Sequence, residues 1–310
     1  LARSPGFLSC VTALEFGVRA DAAEVYVPRA AAAARDEDAA EPQSESVYVP
    51  SAPENAAPVL SAPDKAATLT INNDTDYDVD VAACLASDTH IRAEGDDEDG
   101  PQVLIYHTHG SESYTPDAAF PYTPTETERT TDTRYNVVRV GDELCTALEK
   151  RGIETLHIRS LFDTPTYAGS YDRSLAAVEQ ALEENPSVKV VIDLHRDSIL
   201  TDEGEAYKTS CTVDGAETAQ LMFVVGTDAG GLYHPDWRDN LNFVSTLQYA
   251  LNRAYPSLMR PVNLRTQRFD QHASPGSLLV EVGSSGNTLP EALSAVRLFA
   301  DVLADEMTGM

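Results

Sequence analysis

The chain has 310 residues, with 22 Lys and Arg against 50 Asp and Glu, and a formal net charge of −28 at pH 7. Because capture of nucleic acid or of an anionic membrane surface depends on clustered Lys and Arg, this charge argues against both kinds of partner. Cys10, Cys84, Cys145 and Cys211 show no CxxC spacing, so we expect neither a disulfide nor a cysteine metal site.

The first hundred residues differ in composition from the rest of the chain. They hold twenty Asp and Glu against six Lys and Arg, with Ala, Pro and Ser in excess. We expect a mostly disordered acidic tail or linker over residues 1–100. A helix over residues 11–35 is the competing interpretation, and residues 67–82 alternate like a small edge strand. No run of about 18 apolar residues occurs, so no membrane-spanning helix is predicted in the given sequence.

From residue 101 onward, short apolar runs alternate with segments of helical periodicity. The pattern predicts one α/β domain over residues 101–310, with a mixed, largely parallel sheet and helices on both faces. The predicted strands are "QVLIYH", "IETLHI", "VKVVIDLH", "AQLMFVVG" and "GSLLVEVG". The predicted helices are "NVVRVGDELCTALEKRG", "YDRSLAAVEQALEENP", a segment from about Trp237 to Tyr255, and "TLPEALSAVRLFADVLADEM".

Three of these strands end in side chains that bind metals or exchange protons. His109 and Glu112 follow "VLIY", His195 ends "VVIDL" and Glu281 ends "SLLV". In open α/β sheets ligands bind outside the carboxyl ends of the strands, so we expect these side chains to meet in one crevice. His, Glu and His form a standard ligand set of catalytic zinc, which predicts a Zn²⁺ site at His109, Glu112 and His195. Glu281 is then the candidate general base for hydrolysis of an amide.

The order of His109, Glu112, His195 and Glu281 along the chain resembles the ligand order of zinc carboxypeptidases. The polar residues near them in the sequence have more than one interpretation. His107 shares a face with His109 if the strand continues that far. It is either a substrate or supporting group or a packed histidine. Arg196 polarises or holds a substrate group, unless the strand extends through it and points it away. Asp193 alternates onto the same face as the histidine two residues later, either in the cleft or in a structural hydrogen bond. His272, in the loop before the last strand, is a further candidate for the cleft.

Five long motifs follow one another between residues 101 and 306: "VLIYHTHGSESY", "RTTDTRYNVVRVGDEL", "VVIDLHRDS", "AQLMFVVGTDAGGLYHPDW" and "PGSLLVEVGSSGNTLPEAL". In this order they closely resemble the stage II sporulation protein P family of peptidoglycan hydrolases, whereas residues 1–100 are not covered. The resemblance implies the fold of a zinc-dependent N-acetylmuramoyl-L-alanine amidase, which cuts the amide between the glycan lactyl group and the stem peptide. It also implies cleavage of peptide cross-links by this branch. Motif by motif, it assigns His109 and His195 as zinc ligands and Glu281 as the catalytic glutamate.

The resemblance leaves the acidic zinc ligand open. In related amidases this Glu lies at the start of the first helix, where the present chain offers Asp132 or, less well, Glu128; we favour Glu112 because of its spacing from the first histidine. Residues 269–271 read Phe-Asp-Gln where the family usually shows Tyr-Asn-Gln, which puts a substrate contact from that loop in doubt.

A cellular setting is also implied by the resemblance. Family members act during engulfment of the forespore in endospore-forming bacteria, with stage II sporulation proteins D and M as partners; protein D is a lytic transglycosylase. We therefore expect an extracytoplasmic location, at the wall between the mother-cell and forespore membranes. A membrane anchor is expected in the full-length protein and is not visible in the given sequence.

Two other classes of function stay open at this point. One is a non-catalytic wall-binding or scaffolding module, against which the presence of His109, His195 and Glu281 argues. The other is a zinc peptidase that acts on other peptides. Zinc content separates the first alternative from an enzyme, and a comparison of sacculi with ordinary peptides as substrates separates the second.

Overall fold

A seven-stranded sheet forms the centre of the fold, and a two-stranded hairpin is separate from it. The computed structural model of the chain describes residues 69–87, 91, 100–125, 128–200 and 206–309. The strands are β1 (Ile71–Asn73), β2 (Val103–Tyr106), β3 (Thr155–His157), β4 (Val190–Asp197), β5 (Ser210–Val213), β6 (Ala216–Ala219), β7 (Leu221–Gly226), β8 (Val262–Arg265) and β9 (Ser277–Ser284). The helices are α1 (Val81–Ala86), α2 (Val137–Lys150), α3 (Ser170–Glu184), α4 (Trp237–Ala254) and α5 (Leu289–Thr308), with a 3-10 turn at Gln271–Ala273.

The direction of the strands reverses once across the sheet. The strand order is β1-β8-β7-β9-β4-β2-β3, and every neighbouring pair is parallel except β7 with β9. The strands β9, β4, β2 and β3 therefore run one way, and their carboxyl ends lie at the same edge. This is a mixed, largely parallel sheet, so the predicted fold class is confirmed.

Helices cover both faces of the sheet. On β2, Val103 and Ile105 join a large core to which α2, α4 and α5 contribute. Leu104 and Tyr106 point the other way and join a smaller core with α3. The continuous apolar run in this strand is explained by burial on both faces. None of the helices among the described residues combines the length and the apolar character needed to cross a membrane.

The start of α2 is fixed by a side-chain cap and lies next to the turn after β2. The side chain of Asn136 accepts a hydrogen bond from the Val138 N–H at 3.1 Å, which satisfies one of the free donors of the first turn. The N–H of Val137 donates to the backbone carbonyl of Glu112 at 2.8 Å. The apolar face that predicted this helix is buried against the sheet, so the helix holds the backbone of Glu112 in a defined place.

Three elements lie outside the predicted pattern: α1, β8 and the hairpin of β5 and β6. The hairpin turns at Asp214 and Gly215, whose φ values are 51° and 81°; an Asp-Gly pair is a strong signal for such a turn. β1 lies within the predicted edge element and pairs with β8, so the sheet includes residues from the segment assigned to the tail. The division of the chain into a tail and a catalytic domain stays a prediction. The helix considered for residues 11–35 lies outside the described residues.

His107 packs against α2 at Gly141, the glycine of that helix. Its strand ends at Tyr106, so the alternation that would have aligned His107 with the following histidine does not continue. Nδ1 of His107 bonds the Leu194 carbonyl at 2.8 Å, and Nε2 bonds His157 Nε2 at 2.8 Å. A Cβ at Gly141 would lie 2.6 to 2.8 Å from ring atoms of these two histidines. The close approach of helix and strand therefore requires a residue without a side chain.

We predict that Gly141→Ala lowers the free energy of unfolding by about 1 to 3 kcal/mol, because the added methyl group overpacks two buried imidazoles. Alanine has a higher helix propensity than glycine, so propensity alone would raise the free energy of unfolding. A decrease therefore indicates the steric effect. Urea unfolding measures it, with Lys150→Ala at the exposed end of α2 as the control, expected within about 0.5 kcal/mol of the unaltered chain. A Gly141→Ala protein as stable as the unaltered chain would contradict the steric explanation.

Candidate metal centre

Four of the predicted residues meet at the carboxyl ends of β2, β4 and β9. His109 and Glu112 lie in the turn after β2, where the Glu112 N–H donates to the His109 carbonyl at 3.1 Å. His195 lies near the end of β4, in direct register with Glu281 on β9. Leu194 before His195, and Val280 and Val282 on either side of Glu281, belong to the large core. His195 and Glu281 therefore point to the opposite face, the one that α3 covers.

His109, Glu112 and His195 form a buried cluster. Oε1 of Glu112 lies 3.6 Å from His109 Nδ1, and Oε2 lies 3.3 Å from His195 Nδ1. The two imidazole rings are 5.1 Å apart at an angle of 87°. One possible ligand atom from each residue lies within 4.8 Å of the other two. Over the described part of the chain, no other group of three such residues has this spacing.

The donor set suits zinc. Two imidazoles and one carboxylate are a usual three-ligand set for a catalytic zinc site with an open fourth position. His195 also has Nε2 at 2.8 Å from Asp193 Oδ1, and a carboxylate behind a ligand imidazole is the usual support for such a ligand. Oε2 of Glu281 is buried and has no hydrogen-bond partner among the described residues. This oxygen would accept a hydrogen bond from a water molecule beside the cluster. The residues present therefore fit a metal ion and its water.

The charges in the cluster favour a cation. Burial would raise the pKa of Glu112, but the charge of His195 and hydrogen bonds from His109 and His195 hold this pKa well below its ordinary value. Burial would likewise lower the pKa of His195, but Asp193 and Glu112 hold it well above its ordinary value. A positive charge is thus stabilised between two buried carboxylates, where a divalent cation would supply the same compensation.

Glu281 lies beside the cluster as a carboxyl group with an altered pKa. Burial first, and then the negative charge of Asp197, raise the pKa of Glu281 to about 8. Asp197 is paired with Arg260, whose Nη1 donates to Oδ2 at 2.7 Å. A carboxyl group that exchanges its proton near neutral pH suits a general base or a general acid. Arg260 precedes β8 and had no signal in the sequence, because β8 itself was not predicted.

A second group of residues, from two irregular loops, lies around the cluster: Arg129, Asp163 and Tyr167. None of the three was predicted as a site residue from the sequence. Arg129 Nη2 lies 3.6 Å from Glu112 Oε1, and Nη1 bonds Asp163 Oδ2 at 3.0 Å. The guanidinium carbon lies 5.1 Å from the ring centre of Tyr167, and Tyr167 stacks on His109 at 4.5 Å. Arg129 opens the motif "RTTDTRYN", which was the one available signal. Asp163 and Tyr167 lie in a loop without periodicity.

Arg196 supports the cluster through its backbone. β4 extends through it, which was the condition for its side chain to point away from the cleft. Nε donates to the Ser113 carbonyl at 3.0 Å and Nη2 donates to the Glu128 carbonyl at 3.1 Å. The backbone N–H of Arg196 donates to Glu112 Oε2 at 3.2 Å. Arg196 therefore holds the loop around Glu112, and its guanidinium does not face the cleft.

The remaining candidates lie outside the cluster. The carboxylate of Asp132 accepts hydrogen bonds from Arg134, and its side chain is 37% exposed. Glu128 accepts two hydrogen bonds at its backbone carbonyl, which places its backbone in the loop around the cluster. His272 lies in the 3-10 turn before β9 and forms an edge contact with His234, with ring centres 6.3 Å apart. Burial, followed by the charge of nearby Arg268, lowers the pKa of both histidines to about 4.

Comparison with known proteins gives one curated relative and several solved structures. Stage II sporulation protein P of Bacillus subtilis (strain 168) is 31% identical over 214 residues, which cover 66% of this chain and 50% of that protein. The chain thus spans about half the length of the curated relative that it matches. The N-acetylmuramoyl-L-alanine amidase AmiC2 of Nostoc punctiforme is 12% identical with a TM-score of 0.37, over 68% of this chain and 97% of that chain.

Another solved structure, the apo form of the N-acetylmuramyl-L-alanine amidase Ami1 from Mycobacterium abscessus, is 12% identical with a TM-score of 0.39. It covers 67% of this chain and 97% of that chain. TM-scores this low do not establish a common fold with either amidase. The family comparison is stronger, because the family model of Stage II sporulation protein P matches residues 23–304. Since this match includes most of the 310 residues, the chain belongs to the Stage II sporulation protein P family.

Proposed function

We propose that this chain is a zinc-dependent peptidoglycan hydrolase that cleaves the N-acetylmuramoyl-L-alanine amide, with peptide cross-links as a second substrate of the same site. The observation that carries the proposal is the buried cluster of His109, Glu112 and His195 with Glu281 in register beside it. Membership of the Stage II sporulation protein P family supports the substrate class, since the matched residues 23–304 include all four of these residues.

His109, Glu112 and His195 are the residues that would hold the metal. When bound, zinc supplies a Lewis acid that polarises a carbonyl oxygen and makes water acidic enough to attack near neutral pH. Each ligand is fixed by the fold: the turn after β2 holds His109 and Glu112, and β4 holds His195. Such preorganisation is what lets three side chains act as one site.

Glu281 is the proton carrier in the proposed reaction. It takes a proton from the attacking water and then gives it to the nitrogen of the leaving stem peptide, so that the carbon–nitrogen bond breaks with a neutral amine. Its position supports this role, because β9 places it directly opposite His195 with one carboxyl oxygen free of partners among the described residues. Asp197 and Arg260 lie next to Glu281 and set the charge around it.

The proposed setting follows from the family. We place the protein outside the cytoplasm, at the wall between the mother-cell and forespore membranes during engulfment, with stage II sporulation proteins D and M as partners and a membrane anchor in the full-length protein. The net charge of −28 supports the absence of a nucleic-acid partner.

We predict that Glu281→Gln lowers the rate of amide cleavage by at least about 100-fold, because an amide side chain cannot accept the proton of water. The assay incubates the full chain with purified peptidoglycan and labels the new amino groups of L-alanine. The matched control is Glu179→Gln, an exposed position on α3, which should retain full activity. Loss of cleavage by the unaltered chain on treatment with a chelator, and its return with zinc, is expected in the same assay.

Three results would count against this assignment in different ways. Unchanged cleavage by Glu281→Gln removes Glu281 from the mechanism. Cleavage of ordinary peptides without cleavage of sacculi indicates a zinc peptidase. Binding to peptidoglycan with no turnover and no zinc indicates a non-catalytic wall-binding module.

We predict that Glu112→Gln releases zinc whereas Asp132→Asn retains it, because Glu112 lies in the cluster and Asp132 is paired with Arg134. The loss of affinity at Glu112 should exceed the roughly 10- to 100-fold typical of residues that only support a ligand. Competition with a fluorescent chelator measures the affinity, and elemental analysis gives the stoichiometry. Zinc loss in Asp132→Asn, together with zinc retention in Glu112→Gln, would reverse the ligand assignment.

A further inference from the structure

A row of buried polar groups lies behind His195, on the side away from Glu112. Asp193 Oδ1 is 2.8 Å from Nε2 of His195. The same carboxylate accepts the backbone N–H of Thr108 at Oδ1 over 2.9 Å, and its Oδ2 lies 2.7 Å from the Thr108 hydroxyl. Asp193 therefore connects β4 to the turn after β2, directly between the two histidines of that turn.

The row continues away from the metal cluster. The hydroxyl oxygens of Thr108 and Ser174 are 2.9 Å apart, and Ser174 Oγ lies 2.6 Å from Asp270 Oδ2. Thr108 and Ser174 are fully buried, Asp193 is 1% exposed and Asp270 is 3% exposed. Four segments meet here: the turn after β2, α3, β4 and the loop before β9. Solvent cannot supply a missing hydrogen at such positions, so the pairing has to be complete within the protein.

If both carboxylates are ionised, the row has two hydroxyl hydrogens for three oxygen–oxygen contacts, which is one hydrogen too few. Each hydroxyl carries one hydrogen and an ionised carboxylate carries none. Thr108 then donates to Asp193 and Ser174 donates to Asp270, which leaves the 2.9 Å contact between the two hydroxyl oxygens with no hydrogen. The backbone carbonyl of Tyr171, at 3.1 Å from Ser174 Oγ, is a further acceptor for the same single hydrogen. Three short oxygen contacts therefore need a third hydrogen from a carboxyl group.

Asp270 is the group that can supply this hydrogen. Asp193 accepts the N–H of Thr108 and faces His195 at Oδ1, and it faces the Thr108 hydroxyl at Oδ2, so both of its oxygens already lie against other polar groups. Asp270 faces the hydroxyl of Ser174 in a buried site.

We propose that Asp270 is a neutral carboxylic acid that begins a one-directional chain of hydrogen bonds through Ser174 and Thr108 to Asp193, and that this chain positions His195. Ser174 then donates to Thr108, Thr108 donates to Asp193, and every contact in the row has one hydrogen. The part that concerns His195 rests on the proposed function, since it treats His195 as a metal ligand. The protonation of Asp270 does not depend on that function.

The surroundings of Asp270 agree with the neutral form. Burial raises the pKa of Asp270 to about 8; the hydrogen-bonding contact with Ser174 and the charge of Arg268 act against this shift, and the charges of Asp193 and Asp172 act with it. Two tyrosines also face it from the packed elements, Tyr106 on β2 and Tyr171 on α3.

The first experiment tests the protonation of Asp270 by its effect on stability. A carboxyl group that ionises near 3.8 in the unfolded chain and near 8 in the folded chain keeps its proton only in the folded chain over that interval. Its contribution to stability therefore falls as the pH rises from about 4 to about 8 and is constant above. Asparagine does not titrate, and its amide N–H can donate in place of the acid hydrogen.

The difference in free energy of unfolding between Asp270→Asn and the unaltered full chain, measured with urea, should therefore change with pH. The variant gains relative stability steadily between about pH 4 and about pH 8, and the difference is level at higher pH. Glu183→Gln is the matched control, since it removes an exposed carboxylate from the same helix as Ser174 and should not show this rise. A difference for Asp270→Asn that stays constant over the whole interval would overturn the neutral form.

The second experiment tests positioning through zinc affinity, measured by chelator competition without any substrate. Ser174→Ala interrupts the chain and should weaken zinc binding about 10-fold, the lower end of the effect of supporting residues. Thr108→Val interrupts it at a second point with a side chain of the same shape and should act in the same direction. Asp270→Asn, which keeps a donor, should bind zinc within about twofold of the unaltered chain.

The outcomes separate the two proposals. Zinc affinity unchanged in both Ser174→Ala and Thr108→Val overturns the positioning role, even if the stability experiment shows a neutral Asp270. Absence of zinc binding by the unaltered chain overturns the proposed function and the positioning role together, while the stability experiment still decides the state of Asp270. Folding of each variant is checked by its urea transition.

Discussion

The charge of Glu112 is the constraint around which the site is arranged. Its side chain is only 5% exposed, and an isolated carboxylate in such a place would cost several kcal/mol. Compensation comes from separate segments: the imidazoles of His109 and His195, the backbone N–H of Arg196 and the guanidinium of Arg129. Each of these contacts fixes the loop that carries it. Burial of this one charge therefore explains why the turn after β2, the end of β4 and the loop before α2 are ordered together.

The reversal of strand direction between β7 and β9 has a consequence for the opposite side of the site. Because β9 runs against β8, the end of β8 and the start of β9 lie at the same edge of the sheet, and the loop between them packs on the face that α3 covers. Gln271 holds this loop to β7 through hydrogen bonds to Gly226 N–H and the Val224 carbonyl, at 2.6 and 2.7 Å. Phe269 packs on β7 and β9 and lies 6.0 Å from Tyr171 on α3. The topology thus brings Asp270 to the helix that contacts the turn after β2.

The sequence predicted the parts of the fold that follow a period. Buried runs gave β2, β4, β7 and β9, and the helical spacing gave the four long helices, because burial on one or two faces leaves a regular trace. β8 has four residues that are buried only alternately, and the six residues of α1 bury only Cys84, so neither has the continuous apolar run or the helical spacing that predicts an element. The same distinction applies to the site. Residues at strand ends were found, whereas Arg129, Tyr167 and Arg260 come from irregular backbone, whose path depends on contacts distant in the sequence.

The three residues 107–109 show why spacing alone does not assign roles. Because β2 ends at Tyr106, strict alternation stops and the next three side chains take three directions. His107 packs beneath α2 against His157, Thr108 bonds Asp193, and His109 joins the cluster. A histidine two residues from His109 is therefore a packing residue here, while the threonine between them is the one that bonds Asp193, the carboxylate next to His195. The chemistry of the motif depends on where the strand stops, which is a property of the sheet and not of the motif itself.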